Sequence, residues 1–166
     1  MRLLARELNI KAASLYWHIK NKQDLYNLIA EYITQEISLP EKIDNPKEAL
    51  IAVALEFRRV LLKTRDAVDI YAQSIPTTPR RIETIKFVLS ALTKYGVSDK
   101  YCITAGNLLN NYILSFVADE IRMRQISPEE AKRLGLIWGE QYEFNLDFEQ
   151  QFLYGLRVLL AGLLVE

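Results

Sequence analysis

Lys11 to Leu25 reads KAASLYWHIKNKQDL. The stretch holds a serine, the adjacent aromatics Tyr16 and Trp17, the chain's single histidine His18, and the lysines Lys11, Lys20 and Lys22. Such a set could serve a nucleophile, a metal or a nucleic acid. Nucleophilic catalysis needs a base beside the serine, and a metal needs further ligands near the histidine; neither pattern occurs here. Contact with a nucleic acid fits better. The short residues Ala12, Ala13 and Ser14 suit close approach to base edges. Tyr16, His18, Lys20 and Lys22 can reach phosphates, and Trp17 can pack on the sugar-phosphate backbone. Leu15 and Ile19, four apart, would anchor the same segment in a core. The plainer reading is a half-buried aromatic edge with a solvated histidine.

The elements around the stretch decide between these readings. Leu3, Leu4 and Leu8 mark one face of a short helix, which breaks at Asn9-Ile10. Residues 12–18 form a second short helix. Asn21 caps a third, whose Leu25, Leu28, Ile29, Tyr32, Ile33 and Ile37 recur at three and four to about Ser38. Helix, break, short helix, break and long helix is the organisation of a helix-turn-helix unit, whose second helix enters the major groove. Downstream, Asn45-Pro46-Lys47-Glu48 is a helix-start signal and carries a helix to about Lys63. A short helix follows over 65–73, then an extended loop at 75–79. Another helix is stopped by Gly96, and the longest is capped at Ser98-Asp99. Ser127-Pro128-Glu129-Glu130 opens a short helix, residues 136–147 read as an irregular connector, and Phe148 to Val165 closes the chain. The predicted class is all-α. Its predicted units are a helix-turn-helix piece at 1–38 and an all-helical body at 46–166.

Composition adds bounds. The 166 residues are half apolar, with 21 basic against 21 acidic side chains. Any contact with DNA must therefore come from local charge rather than from the whole chain. Cys102 is alone, which excludes a disulfide within the chain. No signal sequence and no stretch of membrane-spanning length are visible, so the expected setting is the cytoplasm, without a membrane partner. No metal-ligand cluster, nucleophile with a base, or phosphate-cradling loop is present, so neither an enzyme nor a metal or cofactor is predicted. Asp119 and Glu120 fit a solvated helix face.

LLARELNIKAASLYWHIKNKQDLYNLI resembles the DNA-binding domain of the tetracycline-repressor (TetR) family. Leu4, Ala5, Leu8, Ile10, Leu15, Tyr16, His18, Lys22 and Leu25 fall on the family pattern. The resemblance implies that Arg2, Ala12, Ala13 and Ser14 lie over base edges, and that Tyr16, Trp17, His18 and Lys22 touch phosphates or the groove wall. Asn9 stands where a turn glycine is usual. The family places a full helix ahead of Leu3, so the resemblance also implies an upstream start, or else a DNA-binding domain lacking its first helix.

A weaker resemblance to the tetracycline-repressor class of C-terminal domains runs through LLKTRDAVDIYA, LTKYGVS and FLYGLRVLLAGL. It implies a small-molecule effector in a cavity lined by Phe57, Leu61, Tyr71, Ser74, Phe87, Cys102 and Asn110. With no histidine beyond His18, a metal-bound drug is not the expected effector; a largely apolar molecule is. Asn107, Asn110 and Asn111 place three amides on an apolar helix, to be satisfied by one another, a partner chain or the effector. The closing helix carries a stripe of Phe152, Leu156, Leu160 and Leu163, expected to form a homodimer interface; the alternative is the central helix of a monomeric bundle. Gly155 and Gly162 would allow close helix approach there. A dimer would set two recognition helices about 34–36 Å apart, the spacing of a palindromic operator on double-stranded DNA. The expected function is a ligand-released repressor. The alternative is a helical ligand-binding or dimerisation protein that has lost DNA binding.

Overall fold

The structure is a computed structural model that describes residues 2–138 and 147–164. Among these residues every regular element is an α-helix: α1 (Arg2–Glu7), α2 (Ala12–His18), α3 (Lys22–Gln35), α4 (Pro46–Lys63), α5 (Ala67–Gln73), α6 (Pro79–Tyr95), α7 (Cys102–Met123), α8 (Pro128–Trp138) and α9 (Phe148–Gly162).

The helix ends follow local chemistry. Asn21 Oδ1 accepts from the Asp24 N–H and starts α3. Asn45 Oδ1 accepts from the Lys47 and Glu48 N–H groups, with Pro46 in the first turn of α4. Ser127 and Glu130 bond each other's N–H groups, a reciprocal capping box. The turn after α1 uses Asn9 at φ 52, with Ile10 N–H bonded to Ala5 C=O and Asn9 N–H to Arg6 C=O. Those two bonds satisfy helix-end carbonyls, and asparagine tolerates the left-handed conformation they demand. Gly96, at φ 111, does the same for α6. Several boundaries differ from the sequence reading by two or three residues, among them the start of α7 and the end of α8. α7 begins at Cys102, because Ser98 and Asp99 enter a turn in which Asp99 Oδ1 accepts from the Thr93 hydroxyl instead of capping the helix. The helix opened at Ser127 extends through 138, further than expected, and the rest of the predicted connector, 139–146, lies outside the described residues.

Two apolar clusters hold the chain. The small one joins Ala5, Leu15 and Ile19 with Leu4 and Leu25, and fixes α1 and α2 on the start of α3. The large one takes Ala30 and Ile33 from the other end of α3, with Ile37 just beyond it, and joins them to α4–α7 and α9. α3 is therefore shared between both clusters.

One charged cluster lies inside the large core. Glu120 is fully buried and takes a bidentate grip from Arg58, at 2.8 and 2.7 Å, and a further bond of 2.7 Å from Arg124. This corrects the expectation of a solvated Glu120. α7 presents that position to α4, and only the neighbouring Asp119 faces water, where it pairs with Arg122.

The closing helix also departs from expectation. Phe152, Leu156 and Leu160 have no exposed surface within a single chain. Their stripe is the part of α9 that packs against α4 and α7, so these side chains are core and cannot meet a partner; Leu163 is half-buried at its edge. Gly155 makes room for Tyr112 of the same chain, whose hydroxyl donates to Phe152 C=O at 2.7 Å, and a β-carbon there would collide with that ring. Burial pushes the Tyr112 phenol up to about 12, which keeps it a neutral donor. Gly162 has nothing within 4 Å of where a β-carbon would stand. The outward residues of α9 include instead Tyr154, Val158 and Ala161, on one face at spacings of four and three, with the exposed Arg157 among them.

Candidate nucleic-acid interface and effector cavity

α2 is seven residues long, too short to be stable alone, and its orientation comes from the two side chains it buries. Leu15 and Ile19 point into the small cluster. That leaves Ser14, Tyr16, Trp17 and His18 on the outside, with Trp17 88% exposed. Ala13 is exposed beside them; the side chain of Ala12 lies outside the described set. Arg2 is exposed on α1 and Lys22 on the first turn of α3. All the sequence-predicted contact residues with described side chains are thus solvent-facing. Tyr16 and Trp17 are adjacent exposed aromatics on this face. Charge is concentrated here as well. Residues 2–24 hold five lysine and arginine side chains against two acids, so the neutrality of the whole chain hides a basic end.

The large core contains a cavity of about 580 Å³ between α4, α5, α6 and α7, closed at one corner by Ile37. Phe57, Tyr71, Ser74 and Asn110 line it. Leu61, Phe87 and Cys102, expected there too, do not. Leu61 is fully buried in the helix core, Phe87 is half-buried on a different face of α6, and Cys102 Sγ lies beside Val97 C=O at 3.6 Å and Thr93 Oγ1 at 3.3 Å. The physical reasons differ: Leu61 shares the face of Phe57 but lies a turn further along α4, beyond the end of the cavity, whereas Phe87 is out of phase with Thr84, Ile85 and Val88, which face it. Asn107 and Asn111 join Asn110 at the wall, but both are exposed and Asn110 is half-buried, so none of the three is a sealed amide that must find a partner.

Arg81 also lines the cavity, and the sequence reading passed over it. Sitting in a Pro-Arg-Arg helix start, it looked like a first-turn surface residue. Its signal was phase: Arg81, Ile85, Val88 and Leu92 share a helix face. Its guanidinium is buried, donates to Ser74 Oγ at 2.6 Å and lies 4.3 Å from the centre of the Tyr71 ring.

From this wall, polar contacts run to α3. The Tyr71 hydroxyl meets Thr34 Oγ1 at 2.7 Å, and Thr34 donates to Ala30 C=O at 2.6 Å, so Tyr71 is the donor of the first bond. Burial pushes the Tyr71 phenol up; Thr34 and the Arg81 charge pull it partly back. Gln23 Nε2 donates to Gln73 C=O, Asn27 Oδ1 accepts from the Ile75 N–H, and Glu31 accepts from the Arg80 and Arg81 N–H groups. Burial alone would raise Glu31. The Thr78 hydroxyl nearby, those two N–H groups and the Arg81 charge outweigh it, and the carboxyl is held below its ordinary value. The loop bordering the cavity is thereby tied to the helix that carries the recognition unit.

A recognition helix on an all-helical body with an internal cavity defines a DNA-binding regulator of the one-component type. Residues 39–166 match the family described as "Tetracyclin repressor-like, C-terminal domain". The chain belongs to the tetracycline-repressor family of transcriptional regulators. It is 29% identical over 174 residues to the class D tetracycline repressor protein of Escherichia coli, covering 99% of this chain and 79% of that one. Among solved structures it resembles a tetracycline repressor variant of Acinetobacter baumannii in complex with minocycline, with a TM-score of 0.72 and 27% identity over 97% of this chain and 82% of that one. It also resembles BioQ with its double-stranded DNA operator, with a TM-score of 0.70 and 25% identity over 99% and 85% of the two chains. Among the described residues there is no cluster of potential metal ligands and no helix long and apolar enough to cross a membrane.

Proposed function

We propose that this regulator is a repressor released by a small-molecule effector, and that it binds a palindromic operator as a homodimer in the cytoplasm, without enzymatic activity. The outward face of α2 carries the reading: Ser14, Tyr16, Trp17 and His18 stay in water while Leu15 and Ile19 hold the helix rigid. The aromatic pair Tyr16 and Trp17 lies on a face flanked by the basic residues of 2–24, and this combination favours the repressor over the alternative of a binding module without DNA contact. Ala12, Ala13, Ser14 and Arg2 read bases; Tyr16, Trp17, His18 and Lys22 fix position on phosphates. We assign residues 1–38 to the DNA-binding unit and 46–166 to the effector and dimer unit. The exposed face Tyr154, Val158 and Ala161 of α9 forms the dimer contact in place of the buried stripe. Phe57, Tyr71, Ser74 and Asn110 bound the effector site. An effector that moves the 74–78 loop and the start of α6 pulls α3, changes the spacing of the two recognition helices and breaks simultaneous docking.

Fluorescence anisotropy against DNA upstream of the gene tests this. Salt-sensitive binding is expected, and Lys22→Ala, which removes one phosphate contact from each protomer, should reduce the slope of log affinity against log salt by about 2. Val158→Asp should give monomers in sedimentation and lose operator binding. Tight binding by a monomer, or a salt slope untouched by Lys22→Ala, would refute these assignments.

A further inference from the structure

Two arginines are buried, and they are treated differently. Arg58 has its acid, Glu120, in a bidentate bond. Arg81 makes no ion pair among the described residues; its side-chain hydrogen bond goes to the neutral Ser74 hydroxyl. Glu31, on α3, attracts Arg81 from a distance, but its carboxylate is occupied by the main-chain N–H groups of Arg80 and Arg81 and does not line the cavity. Among the described residues Arg81 is the one charged side chain on the cavity wall, and no acid of that set stands there.

Resting on the effector reading of this cavity, we propose that the effector is a small organic anion: a carboxylate or similar acid on an apolar body, its charged end bound by Arg81. A guanidinium stays ionised at any physiological pH and offers five N–H donors in a planar fork. Ser74 Oγ takes one of them and the Tyr71 ring covers one face. The remaining donors match the two oxygens of a carboxylate, and such charge-assisted pairs are the stronger class of hydrogen bond. The apolar body has its complement in Phe57, Val88 and Leu89, and the volume suits a molecule of two fused rings or a ten-carbon chain. The amides of Asn107, Asn110 and Asn111 discriminate among substituents on that body. The anion also has a route to the output. Arg81 contacts Tyr71, and Tyr71 holds Thr34 of α3.

The test uses acids paired with their neutral amides: 2-naphthoate with 2-naphthamide, biphenyl-4-carboxylate with its amide, and decanoate with decanamide. Each is titrated calorimetrically into the full chain at neutral pH, then added to the operator complex. In at least one pair the acid should bind about tenfold tighter than its amide and release DNA at lower concentration. Arg81→Gln should erase that difference by weakening the acid, leaving the amide within about twofold, while Arg81→Lys should keep part of it. Amides that bind and release DNA as well as their acids leave the effector cavity standing and overturn the anion. No binding by any member of the three pairs overturns the effector reading and the anion together. If Arg81→Gln does not fold, the acid–amide ratio in the unaltered protein and in Arg81→Lys still decides.

Discussion

The two ends of α3 sit in different physical regimes. Its first turns join a cluster of a few apolar side chains around Ala5, Leu15 and Ile19, next to a surface that keeps an indole and several charges in water. Its last turns enter a core shared by α4–α7 and α9, in which even a glutamate is sealed. The body has apolar area to spare and can tolerate a cavity and a buried ion cluster. The recognition unit has little core and must present its side chains outward, so its shape depends on few contacts. A contact surface can be rigid with a small core if its anchors are spaced correctly, whereas a ligand cavity needs surrounding structure stable enough to carry the missing contacts.

The largest effect should come from the body. Glu120→Leu leaves Arg58 without its bidentate partner in the core and should cost about 3–5 kcal/mol in urea unfolding; a loss below about 1 kcal/mol would mean that water reaches Arg58 and that the core is looser than drawn. Leu15→Ala should cost less, about 2 kcal/mol, because the small cluster can partly collapse. Hydrogen exchange should then rise in α1 and α2 but not in α7. Equal acceleration in α7 would show the two clusters to be one cooperative unit. The smallest effect belongs to the seam between them. Glu31 is held below its ordinary value of 4.5, so its stabilisation is fully present above that pH and is lost as pH falls through the lowered value. Thermal midpoints of the unaltered protein and of Glu31→Gln should differ above pH 5 and converge under stronger acid. A constant gap across the range would remove Glu31 from the joint.

Much of the molecule was legible beforehand because it depends on local chemistry. Asn21, Asn45 and Gly96 announce helix ends through side-chain acceptors and left-handed backbone, and these act within a turn. The outward face of α2 could be read from the spacing of Leu15 and Ile19. Glu120, Arg81 and the α9 stripe could not. A periodic apolar face says that something covers it, but not whether the cover is this chain or another. Phe152, Leu156 and Leu160 met α4 and α7, and the expected interface turned out to be core. A charge at a helix position likewise does not reveal which neighbour the fold brings.

The sequence by itself determined the all-helical class, most helix limits and the exposed recognition segment, since hydrogen bonding and periodicity operate over a few residues. Only the tertiary structure decided which arginine keeps an acid, which helix face is left for a partner and where the cavity lies. Those outcomes depend on side chains far apart in the chain, whose meeting is fixed by how whole helices pack.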